Sequence, residues 1–180
     1  MVDLNLRDLK DALQDENNGL DYINLTDDKT IIAFKSTNYQ ASFLANLKEF
    51  QDNEKLCDVI LRTQSDPGKF LRAHKIILAC TSQYFKAMFA GGFKEDKCCH
   101  EIVIEQISFS ILEAIVDFIY TSKIVVRETN VEFLLPAAKM LQIDDIVKAC
   151  CMYLCLNMDS NNCISIAEFG KVYGCVNLVK

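Results

Sequence analysis

Two histidines and nine cysteines are the residues of this chain best suited to nucleophilic or metal chemistry, and their spacing speaks against both. Cys98, Cys99 and His100 adjoin, which invites a thiolate–imidazole pair or a metal site. Neighbours on an extended strand point to opposite faces, so Cys99 and His100 do not readily share one ligand. Zinc favours Cys-x-x-Cys or an equivalent spacing, which neither Cys98-Cys99 nor Cys150-Cys151 supplies. A site assembled from cysteines distant in sequence is the remaining metal alternative. Cys151 and Cys155 lie four apart on one helical face, with Cys150 on an adjoining one, a spacing that suits small core residues. A redox role there would need cations to lower a thiolate pKa, and Lys148 is the one nearby. His74, between Ala73 and Lys75, reads as a satisfied structural histidine rather than a general base. The sequence holds no phosphate-cradling glycine loop, no His-Glu-x-x-His and no Gly-x-Ser-x-Gly. The prediction is a non-enzyme with no catalytic residue, metal or cofactor.

Composition bounds what the surfaces can meet. At 180 residues and 51% hydrophobic content the chain can bury one full core, with a small second unit behind it. A net charge of -6 disfavours polyphosphate, so nucleic acid is the least favoured partner. No run of 18 apolar residues predicts a membrane span, and Met1-Val2-Asp3-Leu4 lacks the start of a signal peptide. An odd number of cysteines, several inside helical patterns, predicts free thiols in a reducing compartment.

The elements follow from periodicity. Residues 1–29 are polar and acidic, with a weak stripe of Leu6, Leu9 and Leu13, and predict a mobile or loosely docked extension. Thr30 to Phe34 reads as a strand, and Phe43, Leu44, Leu47 and Phe50 as one helix face. Cys57 to Leu61 is a β-branched strand, Ser65-Asp66-Pro67-Gly68 a reversal, and Phe70 to Ala73 a second strand. From His74 one long helix is expected, carrying Ile77, Leu78, Phe85, Met88 and Phe89 and ending at Gly91-Gly92. Ile102 to Ile104 reads as a strand, Phe109 to Tyr120 as a helix with Ile111, Leu112, Ile115, Phe118 and Ile119 inward, and Lys123 to Val126 as another strand. Asn130 to Leu141 reads as a helix facing the core with Val131, Leu134, Leu135 and Ala138, in which Pro136 must sit near the first turn or kink it. A last helix is expected from Asp144 to Asn157. Short strands among many helices, without regular alternation, predict an α+β fold with a small sheet capped by helical hairpins.

Three motifs then carry a family resemblance: Cys57-Asp58-Val59, Ala73-His74-Lys75 after Phe70, and Leu78-Ala79-x-x-Ser82-x-Tyr84-Phe85-x-Ala87-Met88-Phe89. Their order and spacing resemble the BTB/POZ domain of kelch-like proteins. The likeness spans about 39–158 and continues into Asn162–Gly170, Cys175 and Leu178, which are similar to the first helices of a BACK region. Ser165 and Gly170 depart from that pattern, and Gly170 is expected to loosen its helix by up to about 1 kcal/mol relative to Ala. The domains expected are an extension at 1–29, a BTB/POZ domain at 30–158 with a small mixed sheet, and a truncated BACK start at 159–180. The chain reads as a piece of a longer protein. No repeat of about 50 residues is visible, so target recognition is expected outside it.

The resemblance implies an adaptor. Kelch-like BTB domains form homodimers and dock the N-terminal domain of cullin-3, building a ubiquitin ligase. Within 30–38, Ile31, Ile32 and Phe34 would lie on a strand exchanged between subunits. Phe43, Leu44, Leu47 and Phe50, on a helix at 39–51, would meet the same helix of a second copy. Pairing of that strand within the chain or its disorder, and folding of that helix onto its own core, are the alternatives on the same residues. Phe93-Lys94-Glu95 matches the family's hydrophobic-x-Glu cullin motif, with Tyr84, Phe89 and Tyr120 as neighbours and Asn162 to Leu178 extending the contact. Core packing is the alternative for Phe93. Asp58 and Lys75 are expected as a charge pair that stabilises the fold near the dimer groove. An alternative is the dimerisation domain of a transcription regulator with a groove for co-repressor peptides, which Leu78-Ala79-Cys80-Thr81-Ser82 also resembles. Either reading implies no cofactor, no membrane and a cytoplasmic location, with the nucleus left open.

Overall fold

The computed structural model describes residues 38–90 and 100–175, residues 36 and 178, and the backbone of residues 22–23 and 31–32. The chain divides into two compact units, Met1–Leu44 and Ala45–Lys180. In the first, β1 (Tyr22–Ile23) and β2 (Ile31–Ile32) pair antiparallel, with Tyr22 opposite Ile32 and Ile23 opposite Ile31. The expected strand at Ile31 thus has a partner in its own chain. That partner lies in a stretch whose acidic composition hides two good strand formers, Tyr22 and Ile23. Helix α1 (Tyr39–Asp52) begins in this unit.

The second unit is built on a three-stranded mixed sheet in the order β4-β3-β5, from β3 (Val59–Thr63), β4 (Leu71–Ala73) and β5 (His100–Ile104). β4 runs antiparallel to β3, with Val59 opposite Ala73, and β5 runs parallel, with Val59 opposite His100. Val59, Leu61 and Thr63 alternate into the interior, which is the period-two burial that fixes a register. Helices α2 (Lys75–Thr81), α3 (Gln83–Ala90), α4 (Phe109–Thr121), α5 (Glu128–Met140), α6 (Asp144–Leu156) and α7 (Cys163–Val172) complete an α+β arrangement. Leu61, Leu78, Phe85, Leu112, Ile115, Leu134 and Ile146 meet in one core, each worth about 1.5 to 3 kcal/mol for full burial.

Three local expectations need correction. The long helix from His74 is two helices broken at Ser82, whose extended backbone (φ −135°, ψ 123°) ends α2 and caps α3. Its Oγ accepts the Phe85 N–H at 3.2 Å and donates to the Leu141 carbonyl at 2.5 Å, so the break is tied to the C-terminal end of α5. Lys123–Val126 is not a strand. Ile124 and Val126 turn toward the core while Val125 faces out, an alternation that mimics one. The Val125 carbonyl instead accepts from Asn130 Nδ2 (2.9 Å), and Asn130 Oδ1 accepts the Arg127 N–H (2.8 Å), starting α5 two residues early. Pro136 stands deep inside α5, beyond its first turn. Its missing N–H deprives the Glu132 carbonyl of a helical donor, and Glu132 is exposed, so water can serve there.

Gly170 also departs from expectation. A Cβ there would lie 2.6 Å from Leu178 Cβ and 3.5 Å from the Cys175 carbonyl oxygen. The segment after α7 reaches this position through a Schellman turn: the Cys175 N–H donates to Gly170 O at 2.7 Å and the Gly174 N–H to Lys171 O at 3.2 Å, with Gly174 at φ +63°. Gly170 therefore permits a close approach that outweighs its weak helix propensity. Gly170→Ala gains about 1 kcal/mol of propensity but overpacks by about 1 to 3 kcal/mol. The expected net result is destabilisation by about 1 kcal/mol, read as a lower denaturant midpoint; an unchanged or higher midpoint would contradict the packing.

Candidate docking surfaces

The residues singled out from sequence separate into those that hold the fold and those that face solvent. In α3, Phe85 is fully buried; Tyr84 meets it edge-on (centroids 5.4 Å) and Phe89 stacks on it (5.9 Å). Both flanking rings are half-buried, so each keeps part of its face open. Phe93 and Glu95 lie outside the described residues.

Tyr120 was expected at the partner surface and is instead wholly buried. Its hydroxyl oxygen accepts the His74 backbone N–H at 2.9 Å and meets His74 Nδ1 at 2.7 Å. His74 Nε2 lies 2.8 Å from the Lys55 carbonyl, which only accepts, so the proton sits on Nε2, and Nδ1 accepts from the tyrosine. Every polar atom of this interior network thereby has a partner. His74 is structural, and Cys57 Sγ lies 3.8 Å from its Nε2. Burial pushes the Tyr120 phenol up to about 12 against the His74 N–H, which favours the phenolate.

Asp58 and Lys75 meet at the start of α2. Asp58 Oδ1 accepts the Lys75 N–H at 2.7 Å, placing a carboxylate on the first amide of α2, where the helix dipole favours it. Beside this contact a groove of about 660 Å³ runs along α2 and α3, lined by Ile76, Ala79, Cys80, Gln83, Lys86 and Phe89.

Helix α1 divides its apolar residues. Leu47 packs onto the core of its own subunit, and Lys48 bridges Asp52 (2.9 Å) and Asp117 of α4 (3.1 Å), fixing that half of the helix. Phe43 (48%) and Phe50 (40%) are exposed, and Leu44 is half-buried. Leu47 is thus half-buried against the core of its own subunit, a placement that an amphipathic pattern alone leaves open.

A groove that the sequence reading did not foresee runs between α5, α6 and α7, about 440 Å³ in volume. Val131, Tyr153, Leu154, Ile166 and Phe169 form its apolar lining, and Glu128 and Glu132 supply carboxylates on the α5 side. The signal lay in residues three and four apart on separate helices, which periodicity assigns to the core without showing that a gap remains between them. Among the described residues no group of three or more His, Cys, Asp or Glu converges as a metal site would, and no helix is long and apolar enough to cross a membrane. Burial pushes the Cys150 and Cys151 thiols up to about 12, the opposite of an activated thiolate.

A small mixed sheet capped by helical hairpins, with its aromatic residues half-open along α1 and α3, defines a protein-binding module. Residues 47–158 match the BTB/POZ domain, and the chain belongs to that family. It is 39% identical over 140 residues to human Kelch-like protein 28, covering 78% of this chain and 24% of that protein. Zebrafish Kelch-like ECH-associated protein 1A is 38% identical over 138 residues (75% and 22%), and mouse Kelch-like protein 17 is 37% identical over 142 (79% and 21%). The chain therefore spans about a quarter of the length of these relatives. Among solved structures, the BTB domain of zebrafish PATZ1 superposes with a TM-score of 0.62 at 30% identity, covering 71% of this chain and all of that one.

Proposed function

We propose that this chain is a homodimeric, non-catalytic adaptor module that docks the N-terminal domain of cullin-3, with target recognition outside the chain and action in the cytoplasm. The observation that carries this reading is α3 itself: Phe85 is anchored in the core while Tyr84 and Phe89 stay half-open beside it, a short distance in sequence before Phe93-Lys94-Glu95. Phe93 would insert apolar surface into the partner, and Glu95 would accept hydrogen bonds at the rim. The groove between α5, α6 and α7 fits the extension of the same contact by Asn162 to Leu178. Phe43 and Phe50 would pair across a two-fold axis, and the β1–β2 ribbon bearing Ile31 and Ile32 would supply the exchanged strand; Phe34 lies outside the described residues.

Calorimetric titration with the cullin-3 N-terminal domain tests the docking. Wild-type binding is expected to be tighter than about 100 μM, roughly 5.5 kcal/mol, and Phe93→Ala and Glu95→Lys are expected to weaken it at least tenfold. Weaker wild-type binding would reject the adaptor reading. For the dimer, Phe50→Asp is expected to give a monomer by mass in solution at micromolar concentration, because it places a charge where a second copy would bury a ring. Leu47→Asp is not a clean probe, since it would damage the subunit's own core. The groove along α2 and α3 supports a second reading, a seat for a co-repressor peptide; peptide binding lost in Ile76→Asp, together with failed cullin binding, would favour it.

A further inference from the structure

A third cavity, about 430 Å³ in volume, is lined by Lys139 near the end of α5, by one face of α6 and by Gly174 and Cys175 in the turn after α7. Small-molecule sites run from about 300 to 1,000 Å³. Val147, Cys151 and Cys175 are buried in its wall, whereas Met152 and Cys155 are exposed and open it to solvent. Among the described residues, Lys139 and Lys148 are the only charged groups of the lining. Lys148 is held by Asp145 at 3.0 Å, but Lys139 is half-buried and forms no ion pair among the described residues. An ammonium partly withdrawn from water without a counter-charge favours an anion that comes to it.

The rest of the lining decides what kind of anion. It holds no Asn, Gln, Ser or Thr, in contrast to the α5–α6–α7 groove with its Asn157, Asn162 and Ser165. The Gly174 and Cys175 N–H groups are already used on the Lys171 and Gly170 carbonyls, and the Cys175 thiol faces the Tyr173 carbonyl at 3.8 Å. A peptide would therefore bring backbone donors and acceptors that this wall leaves without partners. A polyphosphate would need more donors than one unpaired ammonium supplies. We propose that the cavity binds an anionic amphiphile of the fatty-acid class, with its carboxylate on Lys139 and its alkyl tail on Val147, Cys151 and Met152. Removal of the tail from water drives the binding, and the flexible Met152 thioether adapts to its shape. Bound there, the amphiphile would bridge α5, α6 and the segment behind α7. This site is independent of the surfaces assigned to cullin-3 and to the second copy.

The test titrates this chain calorimetrically with sodium dodecanoate below its micelle concentration, beside dodecyltrimethylammonium, which carries the same tail on a cation. The expected result is a single dodecanoate per chain with a Kd tighter than about 100 μM, and binding of the cationic amphiphile at least tenfold weaker. Lys139→Gln, which removes the charge, and Met152→Glu, which sets a carboxylate at the exposed rim, should each weaken dodecanoate at least tenfold, while Lys123→Gln, far from the lining in sequence, should not change it. In the unsubstituted chain the Met152 methyl signal should shift and saturate with the same Kd, which decides the matter even where a variant fails to fold. Dodecanoate binding weaker than about 100 μM would give the cavity to a polypeptide segment instead and overturn the proposal. Equal binding of the two head groups, several molecules per chain, or a Met152 methyl that does not move would overturn it as well.

Discussion

Phe85→Ala is expected to destabilise the protein by about 3 to 5 kcal/mol, the range for removing a fully buried phenyl ring whose surroundings close in only partly. Phe85 has no exposed surface, receives the edge of Tyr84 and stacks on Phe89. Its N–H is also the one that Ser82 Oγ caps, so ring and cap fix the same turn of α3. The loss would fall on folding first and on the proposed docking through it, because both flanking aromatics pack on this ring. Tyr84→Ala should separate the two effects: its ring is already partly open to solvent, so a stability loss below about 1.5 kcal/mol is expected, and the proposed docking predicts a clear loss of cullin affinity beside it. Denaturant unfolding and calorimetry on the two variants provide the measurement. Equal stability losses would mean that α3 does not divide between anchor and surface.

Tyr120→Phe is expected to cost about 2 to 4 kcal/mol although it removes one oxygen and almost no volume, since each buried group left unpaired costs about 1 to 3 kcal/mol. The lost hydroxyl serves two of them, the His74 N–H and Nδ1. The variant also changes the alkaline limb of stability. Tyr120 is raised from 10.0 to about 12, and Cys150 and Cys151 from 9.0 to about 12, each first by burial. A raised folded-state pKa means that the unfolded chain gives up its proton first. The stabilisation is then complete below the unfolded value and drains as pH climbs toward the folded one. Stability should therefore fall between about 9 and 12, and in Tyr120→Phe the upper part of that fall, from about 10, should be shallower. Denaturant midpoints across this range give the slope; a parallel slope in the variant would place the tyrosine elsewhere.

Leu112, Ile115, Leu134, Leu135 and Ala138 were legible as core because the helix period puts each on the inward side of its own element, whatever the element packs on. The α+β class and the family motifs were legible on the same ground: order and spacing are properties of the chain. The sequence by itself thus determined most of the elements, the strand at Lys123–Val126 and an unbroken helix from His74 aside, that their apolar faces must meet, and which short motifs mark the family. Only the tertiary structure decided how individual side chains were used. It split one apolar helix at Ser82, because a carbonyl from α5 was in reach of the hydroxyl. It took Tyr120 inward, because an amide and an imidazole 46 positions earlier needed its oxygen. It packed Leu47 against the core and made Gly170 a requirement of contact rather than a weakness. Periodicity reports the direction a side chain points from its own backbone, whereas a contact depends on what a distant stretch of chain brings to meet it, and that is fixed only when the layers pack.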